Sequence, residues 1–392
     1  MFRSLTKEQK RTLNVISFVE FSRMLGIFLV IPVIAIFAEK FTSSGYLIGI
    51  AVASYEISMA IFQIPMGKLS DKIGRRNAII IGLIPYIIGN ILSFYGNTIT
   101  ILIVSRFIAG SGAISSPAIA WAQETVETEK KSLSMSYVGA SIGLAFLMGT
   151  SFSPEISNLL GIRSVFLISA VVGLISLFTA LIPRIYNVNL TTSTSEVKRP
   201  AIGAMVFVIA LISFLVSTSA FIFFYLLQIY SVQSYGLSGY SFILFLPVIL
   251  GGGIAVIFTE KFRSKGSTMP KEISFSIMGT GLAVLSLVAF FDISPLEISL
   301  LLIPFFTGYS FYELLMIPFL SRIIRNEDYG LGMGIFYSFQ FLGSATGALI
   351  GGEIIGNHSN SSIIQVSIAV CLLTVVISFL LSARFTIQSL HG

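Results

Sequence analysis

Stretches of about twenty consecutive apolar residues recur along this chain, each long enough to carry an α-helix across the hydrocarbon core of a bilayer. Short turns holding Gly, Pro, Asn and Ser separate them. A soluble domain could not bury so much apolar surface: 55% of the 392 residues are hydrophobic and only 11% are charged, against about a quarter charged in ordinary globular chains. Mean hydropathy is +0.91. The chain is therefore read as an all-α polytopic membrane protein. Twelve spans are expected, in two sets of six: roughly 12–37, 45–66, 77–96, 99–121, 133–154 and 162–183, then 201–229, 237–259, 272–291, 296–320, 329–353 and 362–383. The longest polar segment, RIYNVNLTTSTSEVKRP (184–200), separates the sets. The expected organisation is an N-terminal six-helix bundle over 1–183, a cytoplasmic linker over 184–200 and a C-terminal six-helix bundle over 201–392. The first apolar run carries Glu20 and Arg23 and has no small-residue cleavage pattern, so it is expected to remain in the mature protein.

Orientation follows from Lys and Arg, which resist translocation. With both termini in the cytoplasm, twenty of the 24 basic residues fall on the inner side; Lys40 and Arg163 fall outside, and Arg23 and Arg106 lie within spans. The net charge of +6 is thus a topological signal and calls for no nucleic-acid partner. The single cysteine, Cys371, lies inside an apolar run and offers neither a disulfide nor a thiolate metal site. No H-E-x-x-H, P-loop or nucleophile beside a histidine is present, which makes a polytopic membrane enzyme the weakest reading. No metal site and no cofactor are expected.

Charge is concentrated in one short segment, GKLSDKIGRRN (67–77), which holds five charged side chains in eleven positions between the second and third spans. Shifting the sequence by 198 residues overlays the fifth span on the eleventh, with Met135 on Met333, Leu144 on Leu342 and Gly149 on Gly347. TEKFRSKG (259–266) occupies the loop of the second half that corresponds to SDKIGRRN in the first. Weak internal repeats of this kind are common in transporters.

Through Gly67, Leu69, Asp71, Gly74, Arg75 and Arg76, the charged segment resembles the signature loop of the major facilitator superfamily, G-x-L-x-D-x-x-G-R-R. RFIAGSGA (106–113) is similar to that family's fourth-span motif through Arg106, Gly110 and Gly112. GTSFSPEIS (149–157) resembles its fifth-span antiporter motif, with Ser153 and Ser157 at positions usually held by glycine. SRMLGIFLVIP and GMGIFYSFQFLGSATG look most like the drug:proton antiporter branch. The resemblance covers the whole chain and implies two pseudo-symmetric six-helix bundles rocking about a central site. In that fold Asp71 is expected to latch onto the amide-rich start of the eleventh span at YGLGMG. Arg75 and Arg76 are expected to pair with nearby acids or anionic headgroups, and Gly67 and Gly74 to shape the loop.

Coupling requires ionisable groups inside the membrane, where each charge is costly. The candidates are Glu20 and Arg23 in the first span, Glu56 in the second, Arg106 in the fourth and Glu313 in the tenth; His358 and His391 lie in a loop and the tail. The proton carrier is expected to be one of the three glutamates, with Arg106 tuning an acid. A static Glu20–Arg23 ion pair that orients the first helix is the alternative for those two. Gln228, Tyr309, Tyr337 and Gln340, polar points within apolar runs, are the candidates for contact with substrate. An aromatic pocket beside a carboxylate suits lipophilic cations. Gly139 and Gly143 read as a close-packing pair. Together these features predict a monomeric secondary transporter in the cell membrane, coupled to protons and exporting small lipophilic compounds; proton-coupled uptake of a small nutrient is the alternative.

Overall fold

Pro32 and the positive-φ glycines Gly74, Gly161 and Gly236 mark four of the places where the apolar runs break. A computed structural model describes residues 5–127, 130–182, 203–264, 294–324 and 329–357. The ninth and twelfth expected spans and the 184–200 linker lie outside them. The described residues form α1 (Lys7–Val30), α2 (Ile34–Glu39), α3 (Gly45–Ile73), α4 (Arg75–Tyr95), α5 (Ile99–Gly110), α6 (Ser115–Glu124), α7 (Lys131–Leu160), α8 (Ser164–Leu181), α9 (Ala204–Ser264), α10 (Pro295–Ile323) and α11 (Tyr329–Asn357). Among the described residues, 7 segments are long and apolar enough to cross a membrane.

The first span is α1 followed by α2, interrupted over 31–33 where Pro32 removes the N–H that would continue the helix. The fourth is α5 followed by α6. The seventh and eighth, expected to be separated by a turn, run together as α9 and are divided only at Gly236, with φ 70°. Helix starts follow their sequence signals. Thr6 and Gln9 form a capping box on α1, Ser294 and Glu297 another on α10, and Thr98 caps α5.

Two groups of helices pack among themselves, α1 with α7 and α8, α4 with α5 and α8, and α9 with α10 and α11. They meet through α3 on α11 and through α7 on α9 and α10. At the end where α1 begins, one apolar cluster joins Ile16, Trp121 and Met135 to Tyr312, Leu320 and Phe336. Toward the opposite end, a second cluster joins Val33, Phe37 and Ile48 to Phe221, Tyr225 and Ala348.

The seam between α3 and α11 is straight and antiparallel. The space beside Gly352 is filled by Gly45 and Gly49, Gly49 abuts Ala348, Ser338 Oγ donates to Ala60 O at 3.0 Å, and Gly334 faces Ile64. Along α3 these contacts cover about 28 Å at 1.5 Å per residue, roughly the hydrocarbon thickness. A Cβ on Gly352 would stand 2.4 Å from Gly45 O, so only glycine permits this approach. Gly352→Leu is therefore expected to pry this end of the seam apart. Maleimide labelling of Cys introduced by Ala348→Cys, in a Cys371→Ser background, should rise severalfold while net transport falls; unchanged labelling would show that the seam tolerates the side chain.

Candidate substrate cavity and coupling residues

Between the two apolar clusters lies a cavity of about 340 Å³. Its wall is largely apolar, with Met24 and Phe28 from α1, Phe146 and Leu147 from α7, Phe221 from α9 and Phe341 from α11. Phe146 packs edge-on against Phe28 with ring centroids 5.1 Å apart and reaches Tyr309 at 5.8 Å, so rings from α1, α7 and α10 meet at one point. Polar groups enter this surface from Glu56 on α3, from Tyr309, Ser310 and Glu313 on α10, and from Tyr337, Gln340 and Ser344 on α11. An apolar chamber with few convergent polar groups is the usual form of a small-molecule site.

Glu313 is held by neutral partners: Gln340 Nε2 donates to its Oε1 at 2.9 Å, and the Tyr309 hydroxyl is its second hydrogen-bonding neighbour. Tyr309 stands one helical turn before it, stacked on Phe305 at 6.1 Å with rings nearly parallel. Glu56 is situated differently. The guanidinium charges of Arg106 and Arg23 act on it from within the first group of helices. Arg106 lies over the Tyr55 ring, 4.4 Å from its centroid, and its Nη1 reaches Asn90 Oδ1 at 3.5 Å. The two acids thus face one chamber with different surroundings.

Glu20 and Arg23 do not line the cavity. Their side chains are fully buried, paired at 3.0 Å, and Arg23 also donates to Ser115 Oγ on α6, which ties the first span to the fourth. This geometry fits the static pair better than a proton carrier. Gln228, expected at the cavity, is not in its wall. Its Nε2 donates to Ile31 O at 3.0 Å, beside the interruption between α1 and α2. An interrupted helix leaves carbonyls without their intrahelical donors, and the amide satisfies one. Gly139 and Gly143 also differ from expectation. Both line the cavity, and nothing lies within 4 Å of where a Cβ would stand at either; their missing side chains leave room in the chamber and do not draw a neighbouring helix close.

At the end where α1 begins, the charged loop is organised around Arg75. Gly74 has φ 90°, a conformation natural to glycine, and turns α3 directly into α4. Gly67 lies against Ser116, where a Cβ would stand 3.0 Å from Oγ. Arg75 pairs with Asp71, donates to Ser70 Oγ at 2.6 Å and reaches Glu124 Oε1 at 2.7 Å at the end of α6. Among the described residues the ion-pair partner of Asp71 is this arginine. Among the described residues Arg76 forms no ion pair; it donates to Ala180 O and Leu181 O, both at 2.8 Å. It thereby caps the last carbonyls of α8. Arg76→Ala is expected to cost about 2 kcal/mol, the usual worth of hydrogen bonds from a charged donor, read as a lower thermal midpoint in detergent. Arg76→Lys should recover only part of it, because one ammonium cannot span carbonyls as the planar fork does; an unchanged midpoint in the alanine variant would remove this role.

Several contributors were missed from sequence. Glu124 and Asn90 carried a signal, being a carboxylate at a span end and an amide within a span. Phe28 and Phe146 carried none beyond being apolar.

A helical membrane protein whose two helix groups enclose a polar-pointed apolar chamber is built as a carrier of small molecules. Comparison with known proteins agrees. Residues 16–322 match the profile of the Major Facilitator Superfamily. An uncharacterized transporter of Buchnera aphidicola subsp. Acyrthosiphon pisum is 30% identical over 82% of this chain and 84% of its own length. The quinolone resistance protein NorA of Staphylococcus aureus is 26% identical over 90% of this chain and 92% of its own. The crystal structure of the human organic anion transporter MFSD10 superposes with a TM-score of 0.72 at 13% identity, over 95% of this chain and 100% of that one. The chain belongs to the Major Facilitator Superfamily; it is an integral membrane transporter and not an enzyme.

Proposed function

We propose that the protein exports small lipophilic compounds, cations among them, in exchange for protons. The observation that carries this reading is the placement of Glu56 and Glu313 on one aromatic chamber, from the two helix groups on either side. Lipophilic cations suit such a chamber, since ring faces and carboxylates both attract positive charge while the apolar wall takes the rest of the molecule. The likeness to NorA, a quinolone resistance protein, supports export. In this reading the bundles 1–183 and 201–392 rock about the cavity on the 184–200 linker, and the loop of Gly67, Asp71, Gly74, Arg75 and Arg76 steadies the inward end. The protein works as a monomer in the cell membrane, with both termini cytoplasmic. The proton is its coupling ion. Substrate and proton compete for the same carboxylate; release of substrate outward lets the acid take a proton, and the protonated carrier returns inward. When a neutral compound leaves, the proton moving inward down 100 mV contributes about 2.3 kcal/mol to each cycle; when a monovalent cation leaves for each proton, the charges cancel and the pH gradient supplies the drive.

Purified protein in proteoliposomes, loaded with a pH-sensitive dye and offered lipophilic cations and neutral compounds, tests the reading. Compound-driven proton movement out of the binding site supports exchange. Flux that instead requires a sugar or amino acid travelling with the proton replaces export by uptake. Substrate movement without proton movement removes the coupling.

A further inference from the structure

At the N-terminal end of α1 the exposed face changes chemistry down a single stripe. Lys7, Arg11, Asn14 and Phe18 are exposed at spacings of four, three and four residues, which places them on one side of the helix. Over about 16 Å of helix axis this side passes from two cations through a carboxamide to an aromatic ring that is 37% exposed. A groove follows the stripe, with Lys10 and Glu8 at its charged end, Val15 beside Phe18, and Thr179 of α8 on its far wall. Three cations face one acid there, and none of Lys7, Lys10 and Arg11 takes part in an ion pair among the described residues.

The bias of basic residues toward the cytoplasm explains why cations stand at this end. It does not explain a groove whose charged mouth continues into an aromatic floor formed by Phe18 of the first span. We propose that this groove holds an anionic phospholipid of the cytoplasmic leaflet. The phosphate sits among the Lys7, Lys10 and Arg11 heads, the glycerol esters lie at the level of the Asn14 amide, and an acyl chain runs along Val15 and Phe18. The charge balance selects an anionic headgroup, since a choline headgroup would place its own cation beside these three. The floor selects a lipid over free phosphate, because only a lipid continues into the hydrocarbon.

Native mass spectrometry of the full chain in neutral detergent, titrated with phosphatidylglycerol and with phosphatidylcholine of the same acyl chains, tests the site. Phosphatidylglycerol is expected to bind at least about tenfold tighter, as each surface cation adds to attraction for an anionic lipid. The triple change Lys7→Gln, Lys10→Gln, Arg11→Gln should abolish that preference. Lys68→Gln with Lys72→Gln, which removes two positive charges from another loop at the same end, should leave it intact. Phe18→Ser should weaken both lipids severalfold, and glycerol phosphate should fail to compete. Equal binding of the two lipids, a preference retained by the triple variant, or a preference lost equally in the Lys68 and Lys72 variant overturns the proposal. Competition by glycerol phosphate as strong as by the lipid would make it a free-phosphate site and overturn it as well. None of these readouts requires transport, so the outcome is independent of the exchange reading.

Discussion

Glu313→Gln is expected to reduce substrate-driven proton release by about a hundredfold in proteoliposomes, while exchange of substrate for substrate across the same membrane persists. The argument starts from its partners. Gln340 and Tyr309 hydrogen-bond this carboxyl, but neither carries a compensating positive charge. A charge within the membrane costs about 2.5–3.5 kcal/mol on insertion scales, so a carboxyl facing the chamber must be offset by a proton or by a cation from the cavity. Competition between those two occupants is what exchange requires. Glutamine keeps the shape and can still hydrogen-bond Gln340, but it takes up no proton; the loss of about 3 kcal/mol of differential interaction corresponds to roughly two decades in rate. Glu56→Gln is expected to have a smaller effect, about tenfold, because Arg106 and Arg23 already act on that carboxyl. Glu313→Asp separates chemistry from packing by retaining the acid, and partial recovery of proton release is expected there. Full proton release by Glu313→Gln would remove this residue from coupling, and the same loss in Glu56→Gln alone would transfer the role to Glu56.

The spans and the chamber were legible in sequence to different depths. Apolar runs mark where a helix can cross the membrane, because a bilayer imposes one length on all of them, and 7 segments among the described residues meet that length and apolarity. Which side of each helix packs inward is far less visible, since lipid is as apolar as a helix interface and little amphipathic contrast survives. Polar side chains escape that limit. Glu56 and Glu313, the coupling candidates, and Tyr309, Tyr337 and Gln340, polar points within apolar runs, stand out from the sequence, and all five line the cavity. Gln228 met the same criterion and serves another purpose, because its partner is Ile31 O beside a helix interruption. That interruption involves a different span, and no local pattern around Gln228 records it. Arg76 shows the same limit: its type points to acids or anionic headgroups, and nothing local in the sequence signals the carbonyls at the end of α8 to which it donates, more than a hundred residues away in the chain.

Removing Arg23 alone is expected to be the most damaging single change to stability. Both members of the Glu20–Arg23 pair are inaccessible, with a 3.0 Å contact, and Arg23→Met would leave the buried Glu20 carboxylate without its ion-pair partner. Breaking one side of a buried pair typically costs about 3–5 kcal/mol, whereas replacing both sides with neutral residues of similar volume is often nearly neutral. Glu20→Gln combined with Arg23→Met should therefore recover most of the thermal midpoint lost in Arg23→Met. Two readouts on the same variants separate architecture from coupling. If the pair orients the first span, the double variant regains both stability and proton-coupled transport, since neither residue lines the cavity. If it regains stability but no proton flux, Glu20 or Arg23 belongs to the proton path, and the division of labour between the buried pair and the cavity acids must be redrawn. Ser115 provides an internal control: Arg23 donates to it across to α6, so Ser115→Ala should lower the midpoint in the native background and have little effect once Arg23 is methionine.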